Sequence, residues 1–421
     1  MNDSNSDLSS ESSEYALPAF TLPGAEEIVK QERKTNRKFW LLLPVGLLLG
    51  YVFGQLMSSI NGPPDPDRIR LGGWQKLALI TVLPVSAFLV ILAHEMGHVA
   101  GGRLAGLRFL FVIAGPLKVT RTERGLSWQV NRSLALMGGL ACCVPRDPKQ
   151  FLNAMKPMIA GGPLASFLLA GLCYVLSSSV DVLPFSASWL LLVSRLLQST
   201  ALMSLFIGIM TLYPGTSGSL KTDGRQLIEL FKSNPHAQRQ NLVRLLVGQS
   251  LAGIRPSEWD SGTVGKLDEA YAELADDEKT LQERVTWASL RSAVAEDQGD
   301  VETAHQLIQF NLTHSNLYPV FARGTLFLAA AIFEARVRHD ADAAEALIQA
   351  APEGMLVESY LVTTAKAEVC RLRGDIEQAR TLAQNALNET ASALDAGGVI
   401  MEREHLLAII NGPDASDLEQ S

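Results

Sequence analysis

Long apolar runs crowd the first half of the chain and are missing from the second, and this division sets the predicted architecture. A helix needs about 20 apolar residues to cross a hydrocarbon core. Four segments qualify, at about 39–60, 74–102, 155–178 and 190–214. No charge falls between Lys38 and Asp65, between Lys76 and His94, or from Pro157 to Val180. Arg195 interrupts the fourth run, but Leu196 to Leu220 is uncharged, and an arginine near a helix end can snorkel to the interface.

Between the second and third runs the period changes. Short apolar stretches separated by Gly115-Pro116 and Arg124-Gly125 read as strands joined by turns, a β-hairpin region over 107–131. An open strand edge in lipid is costly, so this region belongs at the cytoplasmic face of the membrane part. There it either accepts an unwound substrate segment by strand addition or acts as a structural plug.

Beyond Asp223 the spacing is helical and no run is long enough to span. Leu227 to Leu251 and Lys266 to Leu274 carry helical apolar spacing, and the turn at Gly253 to Asp260 contains Pro256, which stops a helix. They fill a helical linker over 231–278. From 279 to 412 a pattern recurs: Gly299-Asp300 is followed by Ala304 and Leu307, His339-Asp340 by Ala344 and Leu347, and Gly374-Asp375 by Ala379 and Leu382. Intervals of about 40 and about 35 residues predict stacked helix-turn-helix units. Such a stack forms a groove suited to protein segments, unless it only scaffolds the membrane part. The fold predicted is an all-α polytopic membrane protein with about four transmembrane helices, a short β-hairpin region and a soluble helical-repeat domain. Residues 1–25, rich in Ser and acidic side chains, and the tail at 413–421 are expected to be disordered.

Charge orients the array. Lys30, Arg33, Lys34, Arg37 and Lys38 precede the first run, which places the N-terminus in the cytoplasm by the positive-inside rule. Four crossings return the chain to that side, so both termini are expected to be cytoplasmic. The first run reads as a retained anchor, being long, far from Met1 and without a small-residue cleavage pattern. A bacterial inner membrane fits best, and a membrane of a photosynthetic organelle fits the same pattern. With 47% hydrophobic and 19% charged residues, the chain is apolar for a globular protein and dilute for a transporter. With a net charge of −8 and its Lys/Arg clusters flanking apolar segments, the chain is not basic enough to suggest nucleic-acid binding. Cys142, Cys143, Cys173 and Cys370 show no C-x-x-C spacing and read as reduced thiols.

The chemistry sits at the end of the second run, in His94-Glu95-Met96-Gly97-His98. On a helix the two histidines lie at i and i+4 on one face, so both can bind one Zn²⁺ while Glu95 acts as general base toward the water. Unpaired ionisable groups are costly in a span, which favours a metal role over a chance motif. One zinc per chain needs at least one more protein ligand. Asp223, in Thr222-Asp223-Gly224-Arg225 after the Pro214-Gly215 break, is the best placed, although the same residue could serve as a helix cap. Asp147 is the next choice, and Asp181 falls on the far side. His236, His305, His314, His339 and His405 read as surface or core residues, and Gly161, Gly162 and Ser166 as residues that let helices pack closely.

Three motifs now stand in order: H-E-M-G-H, Ala160-Gly161-Gly162-Pro163-Leu164-Ala165-Ser166 in the next run, and Thr211-Leu212-Tyr213-Pro214 through Asp223-Gly224. Their order and spacing, from about Trp74 to Leu227 and roughly a third of the chain, resemble the site-2 protease family of intramembrane zinc metalloproteases. The resemblance implies that His94, His98 and Asp223 bind zinc, that Glu95 activates water, and that membrane-anchored substrates are cut in or beside a transmembrane segment. Thr211 stands where the family usually has Asn before Leu-x-Pro, and Ser166 where it often has Asn. Both keep a small hydrogen-bonding side chain. The C-terminal units are similar to tetratricopeptide repeats without the full consensus, which implies a protein partner or self-association. Two other readings are a membrane adaptor with a vestigial metal fold, and a zinc peptidase acting on soluble or lipid-modified peptides at the cytoplasmic surface.

Overall fold

Two glycines bring the first pair of apolar helices into backbone contact. In the computed structural model, which describes residues 17–21, 73–122, 125–131, 136–181, 188–217, 220–274, 278–318, 322–354 and 356–412, a Cβ added to Gly97 would lie 2.3 Å from the Gly161 carbonyl oxygen. One added to Gly161 would lie 2.2 Å from that of Gly97. Only residues without a side chain allow two helices to approach so closely. The helices are α1 (Gly73–Leu104) and α2 (Phe151–Asp181), and α3 (Ser188–Leu212) packs mainly on α2 and also touches α1. The helical segments Pro84–Leu104, Pro148–Val180, which includes the short turn before α2, and Leu192–Leu212 are long and apolar enough to cross a membrane. The span expected at 39–60 lies outside the described residues. Leu164, Leu168, Leu172 and Val175 form an exposed stripe along α2, spaced for one helix face.

The hairpin region is larger than its sequence suggested. Strands β1 (Arg108–Ala114), β2 (Leu117–Thr122), β3 (Gly125–Val130) and β4 (Leu140–Val144) form one antiparallel sheet in the order β3-β2-β1-β4. The boundary 107–131 therefore misses β4. Leu140-Ala141-Cys142-Cys143-Val144 is a five-residue run without alternation, too short to betray its type. A register shift between Phe109 and Phe111 marks a bulge in β1. β1 is buried on both faces: Phe109 and Val112 pack with Val99 of α1, while Leu110, Phe111 and Ile113 pack with Leu251, Leu356 and Leu394 of the C-terminal half. At the sheet's edge β3 pairs, among the described residues, with β2 alone and exposes Leu126, Trp128 and Val130.

The C-terminal half is helical throughout. Short strands β5 (Thr216–Ser217) and β6 (Leu220–Lys221) lead into α4 (Asp223–Phe231), α5 (Pro235–Leu251) and α6 (Ser261–Ala272). The expected linker shares a core with the repeat region, since Leu246, Trp259, Leu267 and Tyr271 pack with Val294 of α7 (Glu278–Gln298). The chain then pairs α7 with α8 (Val301–Thr313), α9 (Arg323–Phe333) with α10 (Ala341–Ala350), and α11 (Ser359–Leu372) with α12 (Ile376–Glu389), ending on α13 (Gly398–Asn411). Each pair turns the same way. Gly299, His339 and Gly374 adopt left-handed backbone with φ of +76°, +53° and +79°, and Asp300, Asp340 and Asp375 then cap the next helix by accepting an N–H from Thr303, Ala343 and Gln378. Ala304, Ala344 and Ala379 are fully buried one turn later.

A short piece of the N-terminal region packs on the C-terminal helices. Residues 17–21 fall inside the predicted N-terminal tail, yet Leu17 and Phe20 pack on the core of α8 to α11. The segment from Tyr15 to Pro23 is largely apolar, unlike the Ser- and acid-rich residues before it, and it supplies the side chains that pack.

Candidate metal centre

Three donor groups from two parts of the chain, the end of α1 and the start of α4, converge on one point. His94 Nε2 lies 3.2 Å from His98 Nε2 and 3.2 Å from Asp223 Oδ2, and His98 Nε2 lies 3.4 Å from Asp223 Oδ1. Four donors placed tetrahedrally around an ion at about 2.0–2.1 Å are separated from one another by about 3.3 Å. The observed spacings match. His94, Glu95 and His98 are all buried and form a group that can hold a metal ion, their ligand atoms lying within 4.8 Å of one another.

The histidines are oriented from behind. Ser166 Oγ of α2 lies 2.9 Å from His94 Nδ1, and the Met158 carbonyl lies 2.9 Å from His98 Nδ1. Each ring thus spends its Nδ1 on α2 and turns Nε2 toward the centre, the arrangement by which outer hydrogen bonds set the face of a ligating imidazole. Ser166 is itself fastened, because Ser204 of α3 donates to its carbonyl at 2.8 Å. Beneath the site a Cβ on Gly162 would lie 2.3 Å from His98 Nε2, and one on Gly139 would lie 2.2 Å from Glu95 Oε1. Gly139, with φ +105°, thereby brings the start of β4 against the Glu95 carboxylate.

Asp223 arrives from the far end of the sequence. It opens α4, and its neighbour Gly224 sits so close to the end of α3 that an added Cβ would meet the Leu212 carbonyl. The Asp-Gly pair thus combines a ligand-bearing first turn with a backbone contact. Asp147 is spent elsewhere, accepting the Lys149 N–H at 3.0 Å as the cap of a short turn. Asp181 ends α2, far along the helix from Ser166. The Thr211 hydroxyl back-bonds to the Gly208 carbonyl at 3.4 Å.

The structure therefore brings together His94, Glu95, His98 and Asp223, all named from sequence, and adds Ser166, the Met158 carbonyl, Gly139 and Gly162. Ser166 reads from sequence as a packing residue, and it is a hydrogen-bond partner. Its signal was the hydroxyl one turn beyond Gly161-Gly162. All four cysteines are free, and burial pushes the Cys142 and Cys143 thiols up to about 12 and about 11, which removes them as ready thiolate ligands. Set against protein-family models, curated proteins and solved structures, the chain gives no match in any of the three.

Proposed function

We propose that this chain is an intramembrane zinc endopeptidase, cutting peptide bonds in or beside transmembrane segments of membrane-anchored proteins. The observation that carries the reading is the convergence of His94 and His98 Nε2 with both oxygens of Asp223 at tetrahedral ligand spacing. Two imidazoles and a carboxylate suit zinc. When bound, zinc supplies a Lewis-acidic charge that polarises an amide carbonyl and acidifies water. His94, His98 and Asp223 hold it, and Ser166 and the Met158 carbonyl keep the rings aimed. Glu95 takes the proton of the attacking water on a carboxylate oxygen and delivers it to the departing amide nitrogen. Gly139 packs against that carboxylate and limits its rotation.

The open edge of β3 supports a peptide substrate. A scissile segment must leave its helix, and its freed N–H and C=O groups need partners. The β3 edge supplies a row of them beside exposed Leu126, Trp128 and Val130. β4 of the same sheet follows directly on Gly139, which lies against Glu95. The exposed apolar stripe of α2 supports burial in a bilayer.

Parity supports the expected topology. Residues 17–21 contact the C-terminal helices, which supports a topology with both on one side of the membrane and an even number of crossings between them. Three candidate spans are described. With the span expected at 39–60 the number becomes four, and the basic cluster from Lys30 to Lys38 puts that side in the cytoplasm.

The test is a comparison of membranes from cells expressing the native chain or Glu95→Gln at equal levels, by quantitative proteomics, with zinc measured on both purified chains. Membrane-anchored proteins that persist intact only with Glu95→Gln are the expected result, together with zinc retained by both chains and lost from His94→Ala and Asp223→Ala. Identical proteomes with zinc bound in both would replace the protease by a membrane adaptor.

A further inference from the structure

Residues 17–21 do not lie on the C-terminal domain as a loose strand; ring stacking, apolar packing and hydrogen bonds to the backbone all hold them. The Phe20 ring stacks on His305 with centroids 4.7 Å apart and an interplanar angle of 11°, and packs at 5.8 Å on Phe333. The Phe20 N–H donates to Glu334 Oε1 at 3.1 Å. Gln309 engages both backbone groups of Thr21, accepting its N–H at 2.8 Å and donating to its carbonyl at 3.4 Å. His305 Nε2 lies 2.8 Å from the Pro18 carbonyl. Leu17 and Phe20 face inward while Pro18, Ala19 and Thr21 are exposed, the three-residue spacing of a polyproline-type strand.

The groove is also built for this purpose on its own side. Glu334 begins a π-helical turn, Glu334–Arg338, at the end of α9, a rare geometry that recurs at functional positions. Its side chain is fully buried, and Oε2 has no hydrogen-bond partner among the described residues. One acceptor thus remains for a ligand with a further donor. A residue pair that binds well without filling every polar site suits an occupant that can be displaced.

We infer that the groove between α8 and the α9 turn is a peptide-recognition site for an extended Leu-Pro-x-aromatic segment, held closed in the resting chain by residues 17–21 and opened when a partner protein presents the same chemistry on the cytoplasmic side. Tethering gives the internal segment an effective concentration on the order of millimolar, so a partner must out-compete it. The inference goes beyond the proteolytic reading and does not rest on it, since neither metal nor Glu95 takes part.

The experiment uses the full chain in detergent and a fluorescent peptide copying residues 15–23. With Phe20→Ala in the chain, the groove is vacated without touching its walls. Peptide should then bind at least about tenfold more tightly than to the native chain. Adding Gln309→Ala should weaken that binding again, and a peptide carrying Phe20→Ala should not bind. Equal affinity for native and Phe20→Ala chains, or no binding to the latter while its melting temperature is unchanged, would overturn the inference. Cross-links from position 20 to the groove of a second copy would overturn the internal closure.

Discussion

The hydroxyl of Ser166 decides which nitrogen of His94 faces Asp223, and the metal centre depends on that choice. Removing such an outer partner typically costs about 10–100-fold in metal affinity, so Ser166→Ala should lower zinc affinity by that amount in a competition titration, with the fold intact. Gly162 acts by absence. Gly162→Ala must displace the His98 ring and should abolish metal binding, whereas Gly171→Ala on the same helix meets nothing within 4 Å and should leave it unchanged. The ligands themselves were legible, because i, i+4 spacing in an apolar run and an Asp-Gly after a Pro-Gly break are local signals. Ser166, Met158 and Gly139 were not. Ser166 and Met158 act across a helix crossing and Gly139 from the approach to β4, and neither kind of approach between distant segments leaves a mark in a single sequence.

At the scale of elements, the three repeated turns make a natural comparison. Gly299 and Gly374 take up left-handed backbone freely, whereas His339 does so with a Cβ, at φ +53°. That conformation costs an L-residue about 1–2 kcal/mol. His339→Gly should therefore stabilise the chain by up to about 1 kcal/mol, less the entropy glycine adds to the unfolded state. Asp340→Ala, which deprives the Ala343 N–H of its cap, should destabilise it by about 1 kcal/mol. Urea unfolding of the purified protein reads both. The Gly-Asp, His-Asp and Gly-Asp pairs announced these turns in the sequence because capping and left-handed turns use a small set of residues. β4 made no such announcement, since its pairing with β1 joins residues some thirty positions apart.

For the molecule as a whole, three carboxyls set a pH dependence. Burial pushes Glu358 up to about 7, although the Leu394 N–H it accepts works against this, and burial reinforced by the Glu402 charge does the same to Glu296. Both favour the fold in their neutral form. Their contribution is complete below the unfolded value of about 4.5 and is lost as pH rises through about 7. Glu229 is opposite: burial would raise it, but hydrogen bonds from Lys221 and Arg244 hold it down at about 2, so its contribution fades as pH falls from about 4.5. Melting temperature should therefore be highest in mildly acidic buffer, near pH 5. Glu358→Gln should reduce the decline between pH 5 and 8 in a thermal melt series.

The two-faced burial of β1 has a practical consequence. Its inner side belongs to the helix that carries the histidines, and its outer side is roofed by Leu356 and Leu394 from the distant end of the chain. The sheet is thus a keystone shared by two structures that the hydropathy profile would divide. A chain cut short before the repeats would leave that outer side bare, and lost activity in it would report aggregation, not regulation. Whether the repeats control the site has to be asked with single substitutions along this seam, in a protein that keeps its full length.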